Sequence, residues 1–238
     1  MGLIELNADI GEGCDDAGLM PYVDRVSIAC GGHAGDAASM TAALRLARAH
    51  GVAVGAHPSY PDRAGFGRRI VPGAPAAIRD WVTRQTAALA EQADRLGMRL
   101  AHVKPHGALY NVAAMDATVA RAIAEAVAAF DPALVLLGLS GSRLIEAGRD
   151  AGLGVLNEAF ADRRYASATT LVSRETAGAV IEDPEAAAAQ AWALAQGGGV
   201  VTPVGVRIAI VADTFCLHSD TPNAVRIARA VHAALGRA

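Results

Sequence analysis

A chain of 238 residues, 53% of them hydrophobic and 19% charged, carries enough apolar material for a large packed core, which excludes intrinsic disorder. A formal net charge of −3 with no basic run excludes a nucleic-acid footprint, and no stretch approaches the about 18 uninterrupted apolar residues of a membrane span. Cys14, Cys30 and Cys216 form no CxxC pair, which argues against a disulfide framework or a cysteine zinc cage.

Apolar runs and Ala-rich helical runs alternate along the whole chain. The amino terminus lacks the basic segment of a signal peptide, so a soluble cytoplasmic protein is expected. Strands are predicted over residues 3–10 and 26–30, then a helix over 37–49 and a strand over 52–56. An irregular stretch, 58–75, leads to a helix over 76–96 and a strand over 100–103. A helix over 116–129, a strand over 134–139, a helix over 142–151 and a strand over 155–160 follow. After a second irregular stretch, 161–178, come a helix over 184–196, a strand over 207–215 and a helix over 222–235. Asp36, Asp116, Ser140, Asp183 and Thr221 are candidate helix caps, with Pro184 and Pro222 suited to first helical positions. Gly51, Gly97, Gly152 and Gly197 are placed to end helices. Strict β–α alternation means a parallel sheet covered by helices. Seven strands in one domain spanning 1–238 point to a closed or nearly closed barrel, with an open doubly wound sheet as the alternative.

Active sites of parallel α/β proteins form at the carboxyl ends of the strands, and the polar residues of this chain gather there. On the first strand the two-residue pleat puts Glu5, Asn7 and Asp9 on one face, with Glu12 just beyond. Acids on a buried face are costly unless paired, protonated or metal-bound. His33, His57, His106 and His218 each lie at or past the end of a separate strand, whereas His102 reads as core and His50 and His232 as helix surface. Glu158 in the sixth strand and Asp162 just past it share a face. Lys104 is the only lysine among 21 basic residues, so it stands out in a chain that otherwise uses Arg. The two long irregular stretches are long enough to act as lids, the first carrying Arg63, Arg68 and Arg69 and the second Arg163.

Several chemistries are excluded. The single lysine follows His102-Val103, so no Walker A loop exists, and Gly11-Glu12-Gly13 does not continue as GxGxxG. Gly138-Leu139-Ser140-Gly141 is not a nucleophile elbow, and Pro105 between His102 and His106 excludes a helical HExxH site. Carboxylates, imidazoles and one ammonium remain, the kit for hydrolysis at a carbonyl or phosphoryl centre. A divalent metal on Asp9 with His33, His57 and His106 is one arrangement of that kit, opposed by the repulsion an ammonium among imidazoles would exert.

Six blocks carry a resemblance. They are Leu6-Asn7-Ala8-Asp9-Ile10-Gly11-Glu12-Gly13, the run from Ile28 through Cys30-Gly31-Gly32-His33 to Asp36, Gly55-Ala56-His57-Pro58-Ser59-Tyr60-Pro61-Asp62, Gly65-Phe66-Gly67-Arg68-Arg69, the run from Val103-Lys104-Pro105-His106 to Asn111, and Phe160-Ala161-Asp162-Arg163. With these the chain resembles the LamB/YcsF family, the A subunits of bacterial 5-oxoprolinase. Three positions depart from that pattern: Gly32 stands where Phe is usual, 165–170 lacks an Asp-Gly turn, and Ser219 replaces a Gly. The resemblance implies a seven-stranded β/α barrel of the glycoside hydrolase/deacetylase superfamily. It also implies ATP-dependent ring opening of 5-oxo-L-proline to L-glutamate, with ADP and phosphate released, in a complex with subunits B and C.

Under that reading Lys104 neutralises a phosphate or oxyanion, Asp9 or Glu158 activates water, and His57 or His106 protonates the ring nitrogen. Arg63, Arg68, Arg69 or Arg163 clamps the substrate carboxylate or phosphate, with Asn7, Glu12, His33, Asp162 and His218 as further contacts. Two other classes stay open: a metal-dependent deacetylase or amidohydrolase that needs no ATP, and a non-catalytic subunit that presents substrate to partners.

Overall fold

The computed structural model describes residues 4–237, so the first residue of the strand expected over 3–10 lies outside it. In chain order the strands are β1 (Glu5–Ile10), β2 (Arg25–Ala29), β3 (Ala53–His57), β4 (His102–Val103), β5 (Val135–Leu139), β6 (Gly154–Phe160), β7 (Tyr165–Ser167), β8 (Thr170–Leu171), β9 (Val200–Val201), β10 (Arg207–Ile208) and β11 (Thr214–His218). The helices are α1 (Asp16–Leu19), α2 (Ala37–His50), α3 (Pro75–Arg95), α4 (Gly107–Met115), α5 (Ala117–Phe130), α6 (Arg143–Asp150), α7 (Pro184–Ala195) and α8 (Ala224–Ala234). Strands β1 to β6 and β11 are parallel and close into a seven-stranded barrel, β11 pairing with both β6 and β1. The closed alternative is therefore the correct one, and the open sheet is not formed. Among the described residues no helix is long and apolar enough to cross a membrane.

The pleat explains how one strand serves both core and site. Leu6, Ala8 and Ile10 of β1 are buried in the apolar core, while Asn7 and Asp9, of opposite pleat, are buried among the polar groups of the barrel. Each fully buried Leu or Ile stabilises the fold by about 1.5–3 kcal/mol relative to exposure. Local signals set the helix ends: Asp36 and Ser39 form a reciprocal capping box on α2, and Gly51 closes it at φ 69°. Asp183 caps α7 ahead of Pro184, and Asp116 accepts from the backbone of Thr118 and Val119 at the start of α5.

Three expectations need correction, and one helix, α4, was not expected. The cap of α6 is Ser142, not Ser140. Helix α8 starts after Asn223, held at φ 63°, because the Thr221 hydroxyl donates to Asp162 at 3.0 Å instead of capping. The strand expected over 207–215 is divided: β10 turns back on β9 through a loop with Gly205 at φ 81°, and the barrel strand begins only at Thr214. Helix α4 carries no capping side chain to announce it. It opens at Gly107, φ 58°, where a Cβ would lie 2.6 Å from the Gly67 carbonyl oxygen, so only glycine lets the chain turn there.

Candidate active site

Two groups of buried polar side chains meet at Asp9, at the carboxyl end of the barrel. In the first, the Lys104 ammonium lies 2.9 Å from Asp9 Oδ1 and 2.7 Å from Glu158 Oε1. It also donates to Asn7 Oδ1 at 3.2 Å and contacts Cys216 Sγ at 3.1 Å. The other Glu158 oxygen accepts from the Tyr110 hydroxyl at 2.7 Å. Burial disfavours the ammonium, yet the two carboxylates outweigh it and hold Lys104 well above the usual lysine range. Burial likewise works against the Asp9 anion, but His57 and Lys104 bring its pKa well below the usual value.

In the second group the imidazoles of His33, His57 and His106 surround Glu12. Glu12 Oε1 lies 2.9 Å from His33 Nε2, 3.3 Å from His106 Nδ1 and 3.8 Å from His57 Nε2. The rings of His33 and His106 stack with centroids 3.6 Å apart. Burial and neighbouring His57 push the His33 pKa down to about 2, and the same causes place His106 well below its usual value, so both rings are neutral. Asp9 joins the groups: its Oδ2 lies 3.4 Å from His57 Nε2.

The expected first lid is pinned over these rings. Gly67, at φ 65°, passes so close that a Cβ would meet His33 and His106 at 2.9 Å, and Phe66 packs edge-on against His33. Gly67 is thus a close-approach position, and Gly65 is another, where a Cβ would collide with the Asp62 carboxylate. Gly32 has a similar role: a Cβ there would collide with the Gln85 amide oxygen, and that amide clamps the Ser59 backbone by two hydrogen bonds.

A cavity of about 420 Å³ opens beside the first group, within the range of about 300–1,000 Å³ typical of small-molecule pockets. Of the candidate residues, Asp9, His57, Lys104, His106, Arg68, Arg163 and His218 line it. Asn7 and Glu158 contact Lys104 from outside the lining, Glu12 and His33 belong to the imidazole group, and Asp162 holds His218 through its Nδ1 at 3.0 Å. Arg63 and Arg69 do not reach the cavity. Arg63 donates to the Gly35 carbonyl at 2.8 Å and so braces the loop before α2, while the Arg69 backbone N–H donates to Asp62.

Sequence reasoning passed over Tyr110, Cys216, Phe160 and Arg174. Tyr110 and Phe160 fall within motif blocks and Cys216 lies two residues before His218, but nothing local marks Arg174. The β7–β8 hairpin and the segment after it, 169–175, form one whole wall of the cavity. Arg174 and Arg68 reach from the two irregular stretches to one shared carboxylate, Asp220, at 3.0 and 2.7 Å. Arg163 donates to the Val172 carbonyl at 2.7 Å and keeps a buried Nε with no partner among the described residues. Burial and then Arg174 lower its pKa to about 10, which leaves it cationic at neutral pH.

A profile of the LamB/YcsF family matches residues 4–238. The chain belongs to the LamB/YcsF family. Among LamB/YcsF relatives, the 5-oxoprolinase A chain of Chloroflexus aggregans is 51% identical over 234 residues, covering 96% of this chain and 93% of that one. Its counterpart in the 5-oxoprolinase of Methylococcus capsulatus is 50% identical, covering 95% and 89%. The lactam utilization protein of Thermus thermophilus superposes with a TM-score of 0.91 at 44% identity, covering 99% of this chain and 96% of that one. A putative cellobiose-phosphate cleavage protein from Enterococcus faecalis V583, 14% identical with a TM-score of 0.54, shares the fold alone.

Proposed function

We propose that this LamB/YcsF chain is the A subunit of a cytoplasmic 5-oxoprolinase that opens 5-oxo-L-proline to L-glutamate, coupled to ATP hydrolysis, in a complex with subunits B and C. The observation that carries the reading is the pairing, across one small cavity, of an ionised Asp9 on Lys104 with a mouth of arginines. A five-membered lactam is an unstrained amide, so water adds to it only with a base, an activated carbonyl and a proton for the departing nitrogen.

The chain's residues fit those needs. Asp9, held ionised, takes the proton from water, and His57, one hydrogen-bond step away, moves a proton toward the ring nitrogen. The Lys104 N–H groups are committed to Asp9, Glu158 and Asn7, so Lys104 fixes and charge-balances the base instead of reaching the phosphate. Arg163 and Arg174 are placed for the substrate carboxylate. ATP transfers its γ-phosphoryl group to the lactam oxygen as the bond to ADP breaks. Water then adds to the activated carbon, the carbon–nitrogen bond breaks as nitrogen takes a proton, and a second water cleaves the resulting acyl phosphate to glutamate and phosphate. With no Walker A loop in the chain, phosphoryl transfer is assigned to the assembled complex.

The test is glutamate release from 5-oxoproline by the chain alone and with subunits B and C, each with and without ATP. Turnover is expected only with all three subunits and ATP. Glutamate formed by the chain alone without ATP would make it an amidohydrolase. Coupled turnover undiminished in Asp9→Asn would make it a non-catalytic binding subunit.

A further inference from the structure

The hydrogen bonds on the far sides of the histidines fix which nitrogens carry protons. His57 Nδ1 lies 2.7 Å from the Lys104 carbonyl oxygen and His106 Nε2 lies 2.9 Å from the Phe66 carbonyl oxygen. A carbonyl only accepts, so both of those nitrogens are N–H donors. The remaining nitrogens, His57 Nε2 and His106 Nδ1, then face each other across 3.0 Å. That arrangement is repulsive unless a proton or a cation lies between them. The Glu12 carboxylate aims at the same point, and His33 joins it through Nε2 while its buried Nδ1 has no partner among the described residues. One ligand atom from each of the four residues lies within 4.8 Å of all the others.

From this geometry we infer that Glu12, His33, His57 and His106 form a binding site for a first-row divalent cation of the zinc class. Metal-bound imidazoles characteristically donate their second N–H to a carbonyl or carboxylate, which His57 and His106 both do. Metal–nitrogen bonds of about 2.0–2.1 Å in a tetrahedron set ligand atoms about 3.3–3.4 Å apart, and the contacts among Glu12, His57 and His106 span 3.0 to 3.8 Å. The ammonium of Lys104 does not oppose a cation here. Asp9 stands between them, both oxygens within reach of Lys104 and Oδ2 also facing His57, so the charge of Lys104 is neutralised by carboxylates before it reaches the imidazoles. The ligand set therefore differs from the one expected from the sequence: Glu12 takes the place of Asp9. Its imidazole edge also reaches the cavity, because His57 and His106 belong to the lining, so a bound cation would polarise a substrate oxygen or a water there.

The experiment needs neither substrate nor partner. Full-length, tag-free protein is stripped by a chelator and titrated with Co²⁺, read by its visible d–d absorption, and then with Zn²⁺ in competition with a chromophoric chelator. One equivalent of tetrahedral Co²⁺, displaced by Zn²⁺ and accompanied by a rise in Tm, is expected. Glu12→Gln and His106→Asn should each weaken binding by about 100-fold or more, while replacing the exposed His50 with Ala should leave it unchanged. Absence of stoichiometric uptake by the folded wild-type chain, or uptake that survives both variants, would overturn the site. Because binding alone is read, that failure would leave the lactam reading untouched.

Discussion

On one side of Asp9 an ammonium and two carboxylates sit within ion-pair distance, with every N–H of Lys104 facing an acceptor; on the other, three imidazoles and a carboxylate converge on one point with no cationic side chain among them. The first group resolves its burial internally, by pairing opposite charges in a place where neither is tolerable alone. The second leaves an attraction for something positive. Both are built from strand-end residues of the same barrel, so the difference lies in one ammonium. Where Lys104 points, the site is finished; where it does not, the site is poised to take a proton or a cation.

The strongest way to break this contrast is Lys104→Met. A solvent-connected lysine would be replaced at little cost, but Lys104 is 2% exposed and Glu158 fully buried. Removing the ammonium leaves Glu158 with the Tyr110 hydroxyl and Asp9 with His57 alone, and a loss of about 3–5 kcal/mol at pH 8 is expected from urea unfolding. In the wild type, against burial, His57 and Lys104 hold the Asp9 carboxyl well below its usual value, and the variant lacks the Lys104 share of that effect. A carboxylate held low in the folded state contributes above its unfolded pKa and loses that contribution as pH falls through the folded one. The deficit should therefore shrink as pH falls below about 4, and Glu158→Gln added to Lys104→Met should recover part of it. A deficit independent of pH would mean that lost packing, not charge, is the cause.

Next in size is Gly67→Ala, which presses on the imidazole side alone. A left-handed φ of 65° costs alanine about 1–2 kcal/mol, and the new methyl group meets His33 and His106 at 2.9 Å. Together these predict a loss of about 2–4 kcal/mol, with weakened cation binding and an unperturbed Lys104 group. Equal damage to both groups, judged by the pH dependence of unfolding, would show that they are one unit.

Much of this was legible in the chain. The alternation of apolar runs gave seven strands because parallel strands buried on both sides must be apolar, and the acids and histidines interrupting those runs marked the strand ends. What stayed hidden depends on contacts between distant segments. Nothing near Glu12 says that its carboxylate faces His33, 21 residues on, or that Asp9 meets Lys104 and not the full imidazole set. Arg63, Arg68 and Arg69 look alike in sequence, yet only the path of the loop decides that Arg68 alone turns to the cavity. Helix α4 was missed for a local reason: it opens on a glycine without a capping side chain, straight after a short strand.

A smaller effect separates the site from its support. Asp162 accepts from the His218 ring, the His218 backbone N–H at 3.2 Å and the Thr221 hydroxyl at 3.0 Å. Burial opposes its charge, but these partners, His218 first, lower its pKa. Asp162→Asn should cost about 1.5–3 kcal/mol at pH 6. A carboxylate with a depressed folded pKa contributes above its unfolded value and loses that contribution as pH falls through the folded one, so wild type and variant should converge below about pH 4. A constant difference down to pH 3 would show that shape, not charge, is what Asp162 supplies.

The smallest stability effect and the most specific functional one belong to the cavity mouth. Arg68 and Arg174 share Asp220, so two guanidiniums face one carboxylate and a net positive charge is left for an anionic substrate. Arg68 is about half exposed, and pairs of this kind contribute about 0–1 kcal/mol, so Arg174→Ala should leave unfolding nearly unchanged. Under the proposed function its loss should instead raise KM for 5-oxoproline about tenfold in the assembly with subunits B and C, the scale of one charge-assisted hydrogen bond, with kcat changed much less. A five-membered lactam lacking the carboxylate supplies the control, because it has nothing for Arg174 to hold and should show the same KM with either enzyme. Asp220→Asn should act in the opposite direction, freeing both guanidiniums and lowering KM for the anionic substrate. If Arg174→Ala affects both lactams equally, the wall formed by 169–175 shapes the cavity without reading charge, and Arg163, with its unpaired buried Nε, is the remaining group for the substrate carboxylate.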